Sequence, residues 1–464
     1  MRRFARFITR WQGLFLALLL PLVIVAPPLL AAALLLIPLL WMARKAATGR
    51  FVPATPFNVS LLLMVLMVLV SLYATFDIAF SFVKVGGVVY GVALLFAVAD
   101  VASRSRRNLW LAVGLFMMGG LGAAGVSVLG AQWPRKLPLI DPLVQRMPQR
   151  LLSLPGSTEG FNPNEVAGVL LWIAPLALVL AAGLWLGLRR LRRDVAAGRL
   201  VLILLFVTGT ALTLSSLLLL TQSRGGIIGF ALALLLVMLL AAARAPRFAL
   251  LALALLLLGG GFLAFDGRLS DRSWAENGLG GLVFEQSGIS GDNIGDALNS
   301  LEGRREIWSR AIYGIQDFPI TGMGMNTFRR VVPILYPLFL IAPDRDIAHA
   351  HNHLLQAALD LGLPGLVAYV AIWLGAGAML WQSWLRAPTP WLRLLAVGCF
   401  ASLLGYFIYG LVDAVALGAR PGFLFWYLLG LVAALYRVVA NSAERDGLRR
   451  ASHQQSIRAK GQVS

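Results

Sequence analysis

Apolar residues run along this chain in long unbroken blocks rather than alternating with polar ones, and the blocks are long enough to cross a bilayer. At about 20 residues per span, the pattern predicts twelve spans: near 11–26, 28–42, 57–75, 80–99, 108–130, 164–188, 200–220, 225–243, 248–265, 363–382, 393–412 and 420–436. The first two are short and meet at Pro27-Pro28, so one bent re-entrant segment is the alternative there. Polar sequence gathers in a segment from Gln132 to Asn164 and in a longer excursion from Asp266 to Asp360. Within the latter, Gly278–Gly281 and Ser287–Asn293 are turn-rich, a helix is predicted around Arg304–Asp317, and Gly322-Met323-Gly324 reads as a turn. An excursion of that length is more than a connector and is expected to be functional. The expected organisation is a single membrane domain over 1–464, with loop 266–360 carrying part of the active site and a basic tail over 437–464.

Composition agrees. With 59% hydrophobic and 13% charged residues and a mean hydropathy of +0.79, a soluble globule is excluded. The fold class expected is all-α, a polytopic integral membrane protein with about 12 transmembrane helices. In that arrangement 25 of the 40 lysines and arginines fall on one side, from Arg2, Arg3, Arg6 and Arg10 to the tail that begins at Arg437. The acidic residues on that side are Asp100, Asp194, Glu444 and Asp446. The positive-inside rule then makes both termini cytoplasmic, in a plasma membrane. A net charge of +19 is thereby explained by topology and anionic lipid, with no nucleic acid partner. The first apolar run leads straight into the second without a small-residue cleavage site, so no cleavable signal peptide is expected. Cys399 is the only cysteine, which rules out an intramolecular disulfide. The basic loops are short and hold no nucleotide-binding domain or phosphate-cradling glycine loop. Chemistry is therefore expected on the outer face, where nucleotide sugars are absent and a lipid-linked donor is favoured.

Few residues there suit such chemistry. In His349-Ala350-His351-Asn352-His353 an imidazole precedes an apolar span, and histidine titrates nearest neutrality, as a general base must. Two other readings of the segment stand beside it. An extended strand would put all three histidines on one face as metal ligands, or they are solvated loop residues. Arg224, in the turn Thr221–Gly226, either snorkels to the interface or offers a guanidinium that binds a diphosphate bidentately. Arg304 and Arg305, in Glu302–Trp308, read on their own as a solvated helix face with local charge pairing. Lys84, near the outer end of the fourth span, either snorkels or approaches donor phosphates. Phe161–Glu165 reads as a helix start, with Asn162 as N-cap, Pro163 in the first turn and Glu165 favoured by the helix dipole.

His351-Asn352, nine residues, then Gly362-Leu363-Pro364-Gly365 resembles the H-N-x9-G-x-x-G signature of the bacterial O-antigen ligase and polymerase superfamily. Ser223-Arg224-Gly225, Gly303-Arg304 followed by Trp308, Pro319–Gly324 and Asn162-Pro163-Asn164 are similar to further elements of that superfamily. The resemblance implies a GT-C-like membrane glycosyltransferase, inverting and independent of metal or other cofactor. Its donor would be a glycan on undecaprenyl diphosphate, its acceptor a hydroxyl of a glycan or glycolipid, and its surroundings membrane lipid. It implies His351 as base and Arg224 and Arg304 as ligands of the leaving diphosphate. Arg305, Asn352 and Lys84 would contact substrate, Asn352 by orienting the imidazole or binding a sugar hydroxyl, with His349 and His353 as neighbours. An O-antigen ligase and an O-antigen or exopolysaccharide polymerase differ in acceptor, and both remain open. A transporter or flippase would share the topology but should place paired broken helices and ionisable groups near the midplane.

Overall fold

The computed structural model describes residues 2–25, 28–134, 141–152, 160–244, 301–341 and 346–461. Among these the chain is helical, apart from an isolated bridge between Ala131 and Phe161. The N-terminal half holds α1 (Arg2–Val25), α2 (Pro28–Thr48), α3 (Asn58–Ala74), α4 (Ile78–Ala102), α5 (Arg106–Gly130) and the short α6 (Asp141–Val144). Then come α7 (Pro163–Leu171), α8 (Ala174–Asp194), α9 (Ala197–Leu220) and α10 (Arg224–Ala242). Beyond the next described gap lie α11 (Leu301–Asp317), α12 (Phe328–Leu335), α13 (His353–Arg386), α14 (Pro390–Gly410) and α15 (Phe423–Gly461).

Eight helical stretches among the described residues are long and apolar enough to cross a membrane: α4, α5, α8, α9, α10, α13, α14 and Arg420–Glu444. The protein is an all-α polytopic membrane protein, as the hydropathy pattern predicts. The predicted first two spans are separate helices, α1 and α2, packed side by side. α3 is apolar but only 17 residues long. The predicted span at 248–265, residues 266–300 of the long loop and their two turn-rich stretches lie outside the described residues.

Polar side chains start several helices where the apolar runs begin. Asp77 accepts from the Phe80 N–H at 3.1 Å ahead of α4, and Ser105 accepts from the Asn108 N–H at 3.1 Å ahead of α5. The predicted span at 164–188 is divided, with α7 ending at Leu171 and α8 starting at Ala174. Pro175 lacks an N–H and disfavours a helical residue before it, which breaks the helix at this point. The Leu176 N–H, left without a helical partner, donates to Ser402 Oγ on α14 at 3.1 Å.

α4 and α15 form the centre of the bundle and bury the largest share of their spans. They approach closely because small residues face large ones. A Cβ on Gly91 would fall 2.1 Å from the Trp426 ring, and one on Gly430 would fall 2.8 Å from the Leu95 carbonyl oxygen. At the basic end Asp100 ties helices together, with Arg44 at 2.9 Å, Arg104 at 2.6 Å and the Gln12 amide at 3.3 Å. At the other end α11 and α12 make a layer with its own small core of Ile307, Ala311, Met323, Phe328, Val332 and Leu359.

That layer is pinned to the bundle through the turn between α11 and α12, where Gly322 and Gly324 have φ of +67° and +93°. The Met323 N–H donates to the Leu359 carbonyl and the Leu363 N–H to the Pro319 carbonyl, both at 2.7 Å. On its other side Ser81 donates to the Met325 carbonyl at 2.7 Å, and the Thr75 and Thr327 hydroxyls meet at 3.0 Å. The predicted helix and turn in the long loop are thus present, locked between the α3–α4 junction and α13.

Candidate active site

Asp413 lies buried in the loop after α14, among side chains delivered by two distant segments. Its Oδ1 stands 3.2 Å from His351 Nδ1 and 3.8 Å from His349 Nε2, while Oδ2 stands 3.8 Å from an Arg304 guanidinium nitrogen. The Ala414 N–H donates to the same Oδ1 at 2.8 Å. A buried carboxylate is tolerable only with such partners. Burial pushes the Asp413 carboxyl up, but His351 and the Arg304 guanidinium outweigh it and hold it below the usual carboxylate range.

Each partner reaches Asp413 for a local reason. Arg304 projects from the first turns of α11 and donates to the Val412 carbonyl at 2.5 Å. Asn352 caps α13, accepting from the Leu354 and Leu355 N–H groups at 2.9 and 3.0 Å, and its amide donates to the Leu411 carbonyl at 3.0 Å. Asn352 therefore fastens the histidine segment to the Asp413 loop. His351 takes a left-handed φ of +48°, and its N–H donates to His349 Nδ1 at 3.2 Å. With Nδ1 turned to the carboxylate, Nε2 is the nitrogen left to receive a proton, the division of labour a carboxylate-oriented general base uses. Burial, then the neighbouring His351, lowers His349 to about 3, against the pull of Asp413 and helped by Lys84 and Arg304. His349 is thus a neutral imidazole at working pH.

His353 separates from the other two. It is the first residue of α13, hydrogen-bonded to the Tyr369 hydroxyl at 2.9 Å and ringed by Trp373, Tyr406 and Phe407. The reading of three histidines on one strand face is therefore wrong: the left-handed residue at 351 and the helix beginning at 353 point them apart. A different trio does meet, since His349, His351 and Asp413 each present one possible metal-ligand atom, all within 4.8 Å of one another. The Arg304 guanidinium on the same carboxylate sets a fixed positive charge against a cation there.

The remaining candidates are distributed around this centre. Arg224 is the first residue of α10, in a tight turn after α9, with Ser223 capping the Gly226 N–H at 3.3 Å and Gln222 at a φ of +52°. Its neighbour Gly225 packs on Val412, where a Cβ would come within 2.8 Å of that side chain. The turn thus abuts the residue before Asp413. Lys84, half-buried on α4, lies close enough for its charge to act on His349. Arg305 is exposed. Asn162 caps α7 as expected, accepting from the Asn164 N–H at 2.9 Å, and Tyr409 donates to the Asn164 carbonyl at 2.8 Å. Sequence reasoning passed over Asp413; the available signal was a lone carboxylate set directly after the apolar run 393–412.

Against known families, residues 209–370 match the family model described as O-Antigen ligase. Over this stretch the chain is similar to the O-antigen ligase family. The recognition suggested by the histidine and arginine motifs is supported, since Arg224, Arg304, His351 and Asn352 all fall inside the matched residues. No curated protein matches the chain. The O-antigen ligase match stops before Asp413 and begins after Lys84, so both are connected to the domain only through the folded structure. The match supports a glycosyltransferase-like function of the O-antigen ligase and polymerase type in general terms.

Proposed function

We propose that the protein transfers a glycan from undecaprenyl diphosphate to an acceptor sugar hydroxyl on the outer face of a bacterial inner membrane. The observation that carries this reading is the His351–Asp413 pair at 3.2 Å, with Arg304 on the same carboxylate. His351 Nε2 takes the acceptor proton as the hydroxyl oxygen attacks the anomeric carbon, and the bond from that carbon to the diphosphate oxygen breaks. Asp413 steadies the imidazolium that forms. Arg224, at the positive end of α10, and Arg304 neutralise the departing diphosphate, with Lys84 at the rim. Inversion at the anomeric carbon follows from one such displacement, and fixed guanidinium charge supplies what a metal would otherwise provide. Basic residues concentrated at the end opposite this site support cytoplasmic termini and an outward-facing centre.

The test uses protein reconstituted in lipid nanodiscs with an undecaprenyl-diphosphate-linked oligosaccharide. A lipid A–core glycolipid and a second copy of the donor glycan are offered separately as acceptors. Transfer to the first alone identifies a ligase, and to the second alone a polymerase. His351→Ala should lower transfer by about 10²–10⁴-fold. Arg304→Lys should recover only part of what Arg304→Ala loses, because lysine lacks the planar fork. An active His351→Ala protein, or a wild type inhibited by EDTA, would refute the mechanism.

A further inference from the structure

The segment bearing His349 and His351 has no regular structure of its own, and one side chain from the helix it precedes holds it. Ala350, buried between the two histidines, donates its N–H to Gln356 Oε1 at 2.8 Å. The other end of the same amide donates from Nε2 to Asp360 Oδ1 at 2.9 Å. Gln356 and Asp360 are 3% and 2% exposed and stand one helical turn apart on α13. The orientation of the amide is not free. The Ala350 N–H can only donate, so the atom facing it must be the carbonyl oxygen, and the NH2 group must face the carboxylate.

We propose that Gln356, locked by Asp360, is a positioning residue that sets the peptide between His349 and His351 and so aims the base. This rests on the assignment of His351 as base. The φ of +48° at His351 is disfavoured for a residue with a side chain and persists only where neighbours over-determine it. Gln356 supplies the constraint on the N-terminal side of His351, and Asn352, bonded to the Leu411 carbonyl, supplies the one on the C-terminal side. Between them the ring is left opposite Asp413. Asp360 has no direct part in transfer: it selects which way the glutamine amide points.

The lock has a chemical signature that simple packing lacks. Gln356→Glu keeps the acceptor for the Ala350 N–H but sets two carboxylates against each other. Asp360→Asn alone is tolerated, because the asparagine presents its oxygen to Gln356. In the double variant Gln356→Glu/Asp360→Asn, the asparagine NH2 donates to the glutamate, and the chain of bonds is restored with donor and acceptor exchanged.

Two readouts decide the matter in nanodisc-reconstituted protein. Turnover of the undecaprenyl-diphosphate-linked oligosaccharide should fall about 10–100-fold in kcat for Gln356→Glu with KM for that donor unchanged. Amide exchange across residues 346–352 should quicken in the same variant. Both should return to the Asp360→Asn level in the double variant. Wild-type kcat and exchange in Gln356→Glu would overturn the proposal, and so would a double variant as impaired as Gln356→Glu. Should His351→Ala prove active, the base assignment falls, while the exchange measurement still tests the hold of Gln356 on the loop.

Discussion

Replacing Gly362 by alanine should cost this protein more than any other single methyl group added along α13. Gly362 sits at φ +68° and ψ 179°, inside what is otherwise one helix from His353 to Arg386. That region of backbone space is essentially closed to residues with a Cβ, at about 1–3 kcal/mol. The added Cβ would also lie 2.2 Å from the Ile320 carbonyl oxygen and 2.6 Å from its carbon, both backbone atoms that cannot rotate aside. To relieve the clash the turn 319–324 must lift from α13, and two hydrogen bonds of 2.7 Å are then lost, Leu363 N–H to Pro319 and Met323 N–H to Leu359. At about 1 kcal/mol for each bond, the expected total is about 3–5 kcal/mol. Gly377, in the same helix with nothing within 4 Å of its Cβ position, is the control, and alanine there should be neutral or mildly stabilising. Cys399 is the single cysteine and is buried, so a dye that fluoresces on reacting with thiol reports unfolding directly. The labelling midpoint of Gly362→Ala should fall by on the order of 5 °C or more relative to Gly377→Ala. Equal midpoints for the two variants would refute the argument that this glycine is a backbone contact.

Asp413→Asn preserves shape and the bond from the Ala414 N–H but removes the charge facing His351 and Arg304; transfer should fall by roughly 10²–10⁴-fold while the labelling midpoint stays within a few degrees. Full turnover in that variant would remove the carboxylate from the mechanism. Acid should weaken the fold through His349. Folding lowers His349 to about 3, chiefly by burial, with His351, Lys84 and Arg304 pushing the same way and Asp413 opposing. The unfolded imidazole binds its proton near 6.5, so the unfolded state holds more protons between those values. Stability from this group is therefore complete above pH 6.5 and declines as pH falls toward 3. The depressed Asp413 adds its own loss only below its ordinary range near 3.8. His349→Gln should flatten the labelling midpoint between pH 6.5 and 4, and an unchanged slope would exclude His349 as its source.

The histidine segment shows how far a sequence reaches and where it stops. His351-Asn352 and the two glycines after it are legible as a motif, but the span predicted to start at 363 belongs to a helix that starts at His353 and is interrupted at Gly362. The roles of the glycines are not legible, because Gly362 is required by Ile320, more than forty positions earlier, through a contact of main chain with main chain. The alternation of three histidines suggested a shared face. That periodicity holds only for extended backbone, and the left-handed residue at 351 ends it. His353 then enters an aromatic cage built from α13 and α14, which no local pattern announces.

The sequence by itself determined the solvent of this protein, its helices and the end at which its reactive residues gather. Unbroken apolar runs in lipid leave the backbone no choice but to satisfy its own hydrogen bonds, and charge is too costly to be placed anywhere but the span ends or the site. Motifs within 209–370 likewise pointed to the family whose model matches there, since they are read within one stretch of the chain. Tertiary structure alone decided which residues form the centre. Asp413 lies 62 positions from His351 in sequence and 3.2 Å from it in space. Only the docking of α11 and α13 against the loop after α14 gives that carboxylate its partners, and no pattern read along one segment records a contact made between three.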